Sequence, residues 1–191
     1  MGKTIGIIIG VSAGIIVLLF IIVVIWYIFV KNKMRKLDIK IDESESGIDV
    51  ALTKRYDLLS KLFQSVKGYM KHERETLQKI ISLRQPPHEA PVAEKQSFAE
   101  EVTRGLEAIN VVMEQYPDLK ASKNVLQLQD QTAEVEENLQ AARRIYNANI
   151  SFYNRYIVVW PNNIVAKRGG FDKRDFFEAE AVKREDIHFD F

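Results

Sequence analysis

From Ile5 to Val30 the chain carries no charged residue, and this stretch limits what the rest can be. A bilayer core about 30 Å thick is crossed by about 20 helical residues, so the run is long enough to span one with some tilt. Its Ile- and Val-rich composition suits lipid, where a helix satisfies its own backbone polar groups. Trp26 and Tyr27 stand near its C-terminal end, the place of an interfacial aromatic belt. The run exceeds the apolar core of a secretory signal, with only Lys3 before it and no small-residue cleavage site before Lys31. It predicts an uncleaved anchor whose partner is the lipid bilayer. The chain then divides into a short N-terminal segment (1–4), a transmembrane helix (5–30), a basic juxtamembrane linker (31–43) and a soluble helical domain (44–191). Gly6, Gly10 and Gly14 give small-xxx-small spacings of the kind that lets two spans approach.

Lys31, Lys33, Arg35, Lys36 and Lys40 follow the span, against Lys3 before it. The positive-inside rule therefore puts the N-terminus outside and the soluble domain in the cytoplasm. Export of the C-terminal part is the alternative.

Beyond residue 44 the apolar residues recur at helical spacing. Leu52, Leu59, Val66 and Ile80 form one seam, Ile48, Leu62, Tyr69 and Leu83 a second, and Phe63, Met70 and Leu77 widen it, which predicts one helix from Ser44 to Arg84. Arg55 and Glu73 interrupt the seams. Pro86, Pro87 and Pro91 stop this helix. A second spans about Glu94 to Gln115, with Phe98, Val102, Leu106, Ile109 and Met113 on its apolar face. Tyr116-Pro117-Asp118-Leu119 forms a tight connection. Ser122 is the predicted N-cap of a third helix reaching about Val159. Gly169-Gly170 reads as a turn, and Asp172 or Asp175 as the cap of a short fourth helix through Ala181. The tail Ile187–Phe191 alternates apolar and polar residues. The fold class is all-α: a transmembrane helix, then an elongated antiparallel bundle of three long helices plus a short C-terminal one. Short connections make neighbours antiparallel, so helices one and three run the same way.

Charge and composition narrow the function. With 27 basic and 26 acidic residues the chain lacks the basic excess of a nonspecific nucleic-acid binder. Having no cysteine, it has no disulfide, thiolate metal site or thiol nucleophile. His72, His88 and His188 show no ligand spacing. No nucleophile elbow or phosphate loop is present. The sequence therefore predicts no enzyme active site, no metal or cofactor and no small-molecule substrate.

The third helix carries a polar stripe. Glu136, Arg143, Asn147 and Asn154 follow at spacings of seven, four and seven, which bring them toward one face. Rise counting places Arg55 near Glu134 or Glu136, and Glu73 near Arg143 and Asn147. It predicts two charged pairs, Arg55 with Glu136 and Glu73 with Arg143, that fix register between long helices. The other reading is a groove in which Arg143, Asn147 and Asn154 capture a peptide or polar ligand.

Arg143-Arg144-Ile145-Tyr146-Asn147, Tyr153-Asn154 and Trp160-Pro161-Asn162-Asn163-Ile164-Val165-Ala166 together resemble the signature of the LemA family. Arg55-Tyr56-Asp57-Leu58, Tyr69, Glu73, Tyr116–Lys120, Leu126–Gln129, Gly170-Phe171 and Phe176-Phe177-Glu178 extend the likeness over most of the soluble part. Trp160 stands where the family usually has Phe, and Glu137 where it has Asn. The resemblance singles out Tyr146, Tyr153, Pro161, Asn163 and Ala166 as motif residues. It implies a helical-bundle protein of the bacterial inner membrane and no known reaction. Two functions follow: a membrane-anchored interaction or scaffold protein, with protein partners or self-association and with Phe171, Phe176 and Phe177 as candidate anchors, or a ligand- or peptide-binding module that uses the Arg/Asn stripe.

Overall fold

The computed structural model describes residues 2–69, 78 and 80–177, with side chains from residue 10 onward. All regular structure among these residues is helical: α1 (Gly2–Val66), α2 (Val92–Gln115), α3 (Pro117–Lys120), α4 (Lys123–Val158) and α5 (Asn162–Gly169), with residues 78 and 80–82 helical as well. The chain is thus an all-α protein. Among the described residues it has three long helices, the N-terminal one opening with the apolar run, and a short helix near its C-terminal side.

α1 is unbroken from the apolar run through the basic stretch 31–43 into the amphipathic helix. The expected linker is helical because residues 31–43 contain neither proline nor glycine and are rich in Lys, with Arg, Met, Leu and Glu among the rest. The environment of α1 changes along its length. Val11 to Phe29 is apolar and largely exposed, whereas Val30, Met34, Ile41, Ile48, Leu52, Leu59, Leu62 and Val66 are buried. Among the described residues this one helix is long and apolar enough to cross a membrane.

α1 ends at Val66 and not at Arg84. The residue after next is Gly68, whose backbone freedom makes it costly inside a helix, and residues 67–69 turn, with the Tyr69 N–H donating to the Val66 carbonyl at 2.8 Å. Tyr69 accordingly leaves its predicted seam and lies 4.9 Å from the Tyr116 ring. Met70, Glu73 and Leu77 fall outside the described residues.

This early reversal changes the direction of the later helices. The chain returns along α1: the Tyr56 hydroxyl donates to the Leu83 carbonyl, Gln85 Nε2 to Thr53 Oγ1, and His88 meets Asp49. The proline loop reverses it again. α2 therefore runs parallel to α1, with Lys95 beside Asp49, Phe98 5.8 Å from Tyr56, and Tyr116 beside Tyr69. The single turn of α3 sends α4 back, antiparallel to both. Helices one and three were expected to run the same way; they run oppositely, because Gly68 adds a reversal that the heptad pattern hides.

Two compact units divide the chain, one of residues 1–41 with Asn149–Arg174, the other of Asp42–Ala148 with the chain from Asp175. The first buries Val30, Met34, Ile41, Ile150, Tyr153, Ile157, Val165 and Ala166. The second buries Ile48, Leu52, Leu59 and Leu62 of α1, the whole predicted face of α2, and Val125, Leu128, Val135 and Leu139 of α4. The predicted cap of α4 is present, with the Val125 N–H donating to Ser122 Oγ at 3.4 Å.

A short helix stands before Gly170, where the sequence placed none. α5 begins directly after Pro161 and closes at Gly170, which sits at φ +68°, a conformation that only glycine adopts freely. The Gly170 and Phe171 N–H groups both donate to the Ala166 carbonyl, so Gly169-Gly170 is the expected turn. Residues 171–177, where the fourth helix was placed to begin, form no helix; the remainder of that segment and the tail Ile187–Phe191 lie outside the described residues.

Candidate functional site

In the second unit, Arg55 occupies an apolar seam of α1, every seventh residue of which reads Ile48, Arg55, Leu62. It is 4 % exposed. A buried guanidinium needs partners, and α2 and α4 provide them: Nη1 donates to the Ala99 carbonyl at 3.2 Å, and Nη2 lies 2.8 Å from Glu136 Oε2. Gln140 Nε2 donates to the other Glu136 oxygen at 2.8 Å. Arg55 and Glu136 are thus brought together as the sequence predicts, although α4 runs opposite to the direction counted. Beside them opens a cleft of about 400 Å³ that Thr103, Asn110, Gln129 and Thr132 also line.

The rest of the stripe is filled by the chain itself. Asn147 Nδ2 donates to the Phe177 carbonyl at 2.8 Å while the Phe177 N–H donates to Asn147 Oδ1 at 2.9 Å. The Tyr146 hydroxyl donates to the Asp175 carbonyl, and the Arg143 guanidinium lies over the Phe177 ring, 4.7 Å from its centre. In the first unit the same device recurs. Asn154 Nδ2 donates to the Arg174 carbonyl and the Arg174 N–H to Asn154 Oδ1, both at 2.9 Å. Each asparagine substitutes for a peptide group and satisfies both backbone polar groups of one residue. These pairings explain why residues 171–177 are not helical: side chains of α4 already hold the groups that a helix would use. Arg143 therefore faces Phe177; its expected partner Glu73 lies outside the described residues.

The remaining motif residues are mostly architectural. Tyr146 and Tyr153 are each 2 % exposed, and burial raises the Tyr153 pKa above its ordinary value. Pro161 precedes α5, and Ala166 is the buried acceptor of its closing turn. Asn162 Nδ2 donates to the Tyr156 carbonyl at 3.3 Å, capping the end of α4. The Asn163 side-chain oxygen is buried without a hydrogen-bond partner. Of the three candidate phenylalanine anchors, Phe177 is buried, Phe171 half-buried and Phe176 exposed.

A further cluster escaped the sequence reading. Lys95 of α2 is 1 % exposed. Its Nζ lies 2.7 Å from Glu45 Oε1 and 2.9 Å from Asp49 Oδ1, and donates to the His88 carbonyl at 2.7 Å. Burial lowers its pKa, but the hydrogen bonds to Glu45 and Asp49 outweigh that and leave it raised. His88 Nδ1 pairs with Asp49 Oδ2. That hydrogen bond, with the carboxylate charge behind it, raises the His88 pKa. The available signal was phase: Lys95 continues the Phe98–Val102 stripe backward by three residues, and Glu45 and Asp49 stand one turn apart. His88 lies in the proline loop without ligand spacing to another histidine; His72 and His188 lie outside the described residues. Among the described residues no group of three or more His, Cys, Asp or Glu could hold a metal ion.

Fold and site define a class: an all-helical bundle protein with one N-terminal helix apolar enough to enter a membrane and a polar stripe engaged by its own C-terminal segment. The chain belongs to the LemA family, whose profile matches residues 44–191. It is 32 % identical to Protein LemA of Metamycoplasma hominis over 188 residues, covering 93 % of this chain and 84 % of that protein. It is also similar to the magnetosome proteins MamQ 1 and MamQ 2 of Paramagnetospirillum magneticum, at 33 % identity over 67 residues, which is 35 % of this chain and 25 % of each of those.

Proposed function

We propose that this chain is a non-enzymatic interaction or scaffold protein, anchored by its N-terminal helix in the bacterial inner membrane with its bundle in the cytoplasm. One observation carries the reading: Asn147 and Asn154, the side chains best equipped to capture a peptide, already hold the backbone of Phe177 and Arg174. What remains is a helical surface on a tether, its charges of both signs interspersed with exposed apolar side chains such as Val111 and Ile145, which suits protein partners or self-association. The basic flank Lys31–Lys40 supports the orientation.

Two experiments test this. The chain has no cysteine, so Ser97→Cys, at an exposed position of α2, is a unique thiol. A membrane-impermeant maleimide is expected to label it only after permeabilisation; labelling of intact cells overturns the orientation. Proximity labelling from the bundle of the full chain is expected to mark a reproducible set of membrane-associated proteins that changes when the anchor is removed. An anchor-independent background overturns the scaffold role. The open cleft beside Arg55 and Glu136 favours a second reading, a ligand-binding module. Under it, a ligand raises the melting temperature of the parent chain and not of a Thr103→Tyr variant that fills the cleft.

A further inference from the structure

At the end of α4 the first unit presents apolar side chains to the outside. Val158 and Val159 are about half exposed, Ile164 is 45 % exposed, and Trp160, at 75 %, is the most exposed large apolar side chain among the described residues. A tryptophan this bare departs from the usual economy of a soluble bundle. Its position relative to α1 supplies a reason. Lys33 Nζ lies 4.8 Å from the centre of the Tyr156 ring, and Arg174, which Asn154 holds, pairs with Asp38 at 3.3 Å. Going up α4 thus means going down α1. α4 ends at Val158, so Trp160 follows just beyond Tyr156, at the end of α4 that is directed toward the apolar run of α1. Trp26 and Tyr27 are half-buried in a stretch otherwise exposed, so packing against α1 reaches into that run. Lys167 and Arg168 are exposed in the last turn of α5, and Lys31 and Arg35 follow the apolar run on α1.

We propose that the tip joining α4 to α5, with Trp160 at its centre, is a second membrane contact that sits in the headgroup layer of an anionic phospholipid bilayer beside the emerging anchor. The inference rests on α1 being a membrane anchor and adds a surface to it. An amphipathic indole favours the interface between headgroups and acyl chains. The neighbouring cations attract anionic lipid within a Debye length of the surface. Apolar tip, flanking positive charge and continuity with the apolar run all select the same occupant.

The chain has two tryptophans, which makes the test direct. The full chain is reconstituted in phosphatidylcholine vesicles, with or without phosphatidylglycerol, whose acyl chains are brominated near the headgroup. Trp26→Phe, or Trp26→Tyr if incorporation is poor, leaves Trp160 as the reporter; Trp160→Phe leaves Trp26. The expected result is loss of emission from both reporters on bromolipid, with Trp160 shielded from aqueous iodide and its loss greater when phosphatidylglycerol is present. Quenching of Trp26 with Trp160 open to iodide overturns the second contact and leaves the anchor standing. Trp160 shielded from both quenchers overturns it in favour of a protein partner or a second copy. Equal quenching without phosphatidylglycerol overturns the anionic-lipid assignment. If neither tryptophan is quenched, the anchor and the contact built on it both fail.

Discussion

A side-chain amide carries the donor and acceptor of a peptide group, and α4 uses this twice. Asn147 and Asn154 each close a two-bond ring with one residue of the C-terminal segment. Truncation of either to Ala leaves one N–H and one carbonyl unmet in a half-buried place, so each Ala variant is expected to lose about 1–3 kcal/mol of stability, read by chemical unfolding of the full chain in detergent. Aspartate is the sharper probe. Asn147→Asp keeps size and acceptor, removes the donor, and sets a carboxylate against the Phe177 carbonyl. It is expected to cost at least as much as Ala; an Asp variant as stable as the parent would mean that the pairing contributes nothing. Gly170 gives a second check at this scale. Its φ of +68° costs an L-residue about 1–2 kcal/mol, so Gly170→Ala should lower stability by that amount.

The proline loop and the start of α2 form an element held by charge. Lys95 bonds to Glu45, Asp49 and the His88 carbonyl while nearly sealed from water. Lys95→Met keeps the volume and leaves two carboxylates facing each other. The loss is expected at about 3 kcal/mol, at the low end for a buried pair because Glu45 and Asp49 remain 15 % and 19 % exposed. His88 makes the same element sensitive to pH. Its pKa is raised above 6.5 by the bond to Asp49, so the folded chain holds the proton more tightly than the unfolded one. The stabilisation is complete below 6.5 and disappears as pH climbs through the raised value. Thermal unfolding across that window should show a falling midpoint in the parent and a flatter one in His88→Gln. What the sequence disclosed of this element depends on how patterns are read. Periodicity located the buried face of α2, because Phe98, Val102, Leu106, Ile109 and Met113 mark it whichever way the helix points. It missed the cluster, because a lysine is counted as solvated until an acid on another helix claims it. It also missed the direction of α2, because Gly68 lies off both apolar seams and so breaks no heptad. The stripe on α4 was legible in its residue types, but its occupant was not, since Asn147 and Asn154 bond to backbone, which has no sequence signature.

Across the molecule, one charged residue distinguishes a repetitive seam. Along α1, Met34, Ile41, Ile48, Arg55 and Leu62 recur every seventh residue, and Arg55 alone among them is charged. A shift of the bundle along α1 by one heptad, about 10 Å, would replace one aliphatic side chain by another at nearly every layer and change the apolar burial little. The Arg55 layer resists such a shift, because the guanidinium would lose the Ala99 carbonyl and Glu136 together. The pair is then more important for uniqueness than for stability. Glu136→Leu alone leaves a buried cation unmatched and is expected to destabilise by about 2 kcal/mol, the partial exposure of Glu136 softening the usual cost. Arg55→Leu combined with Glu136→Leu removes both charges from the interior and should recover that loss or exceed the parent in melting temperature. The recovered protein should nonetheless be less specific: amide hydrogen exchange in α2 and α4 is expected to quicken, with more than one protected population where the parent has one. A double variant that melts higher and keeps a single, equally protected population would place the register elsewhere, in the asparagine clamps or the Lys95 cluster.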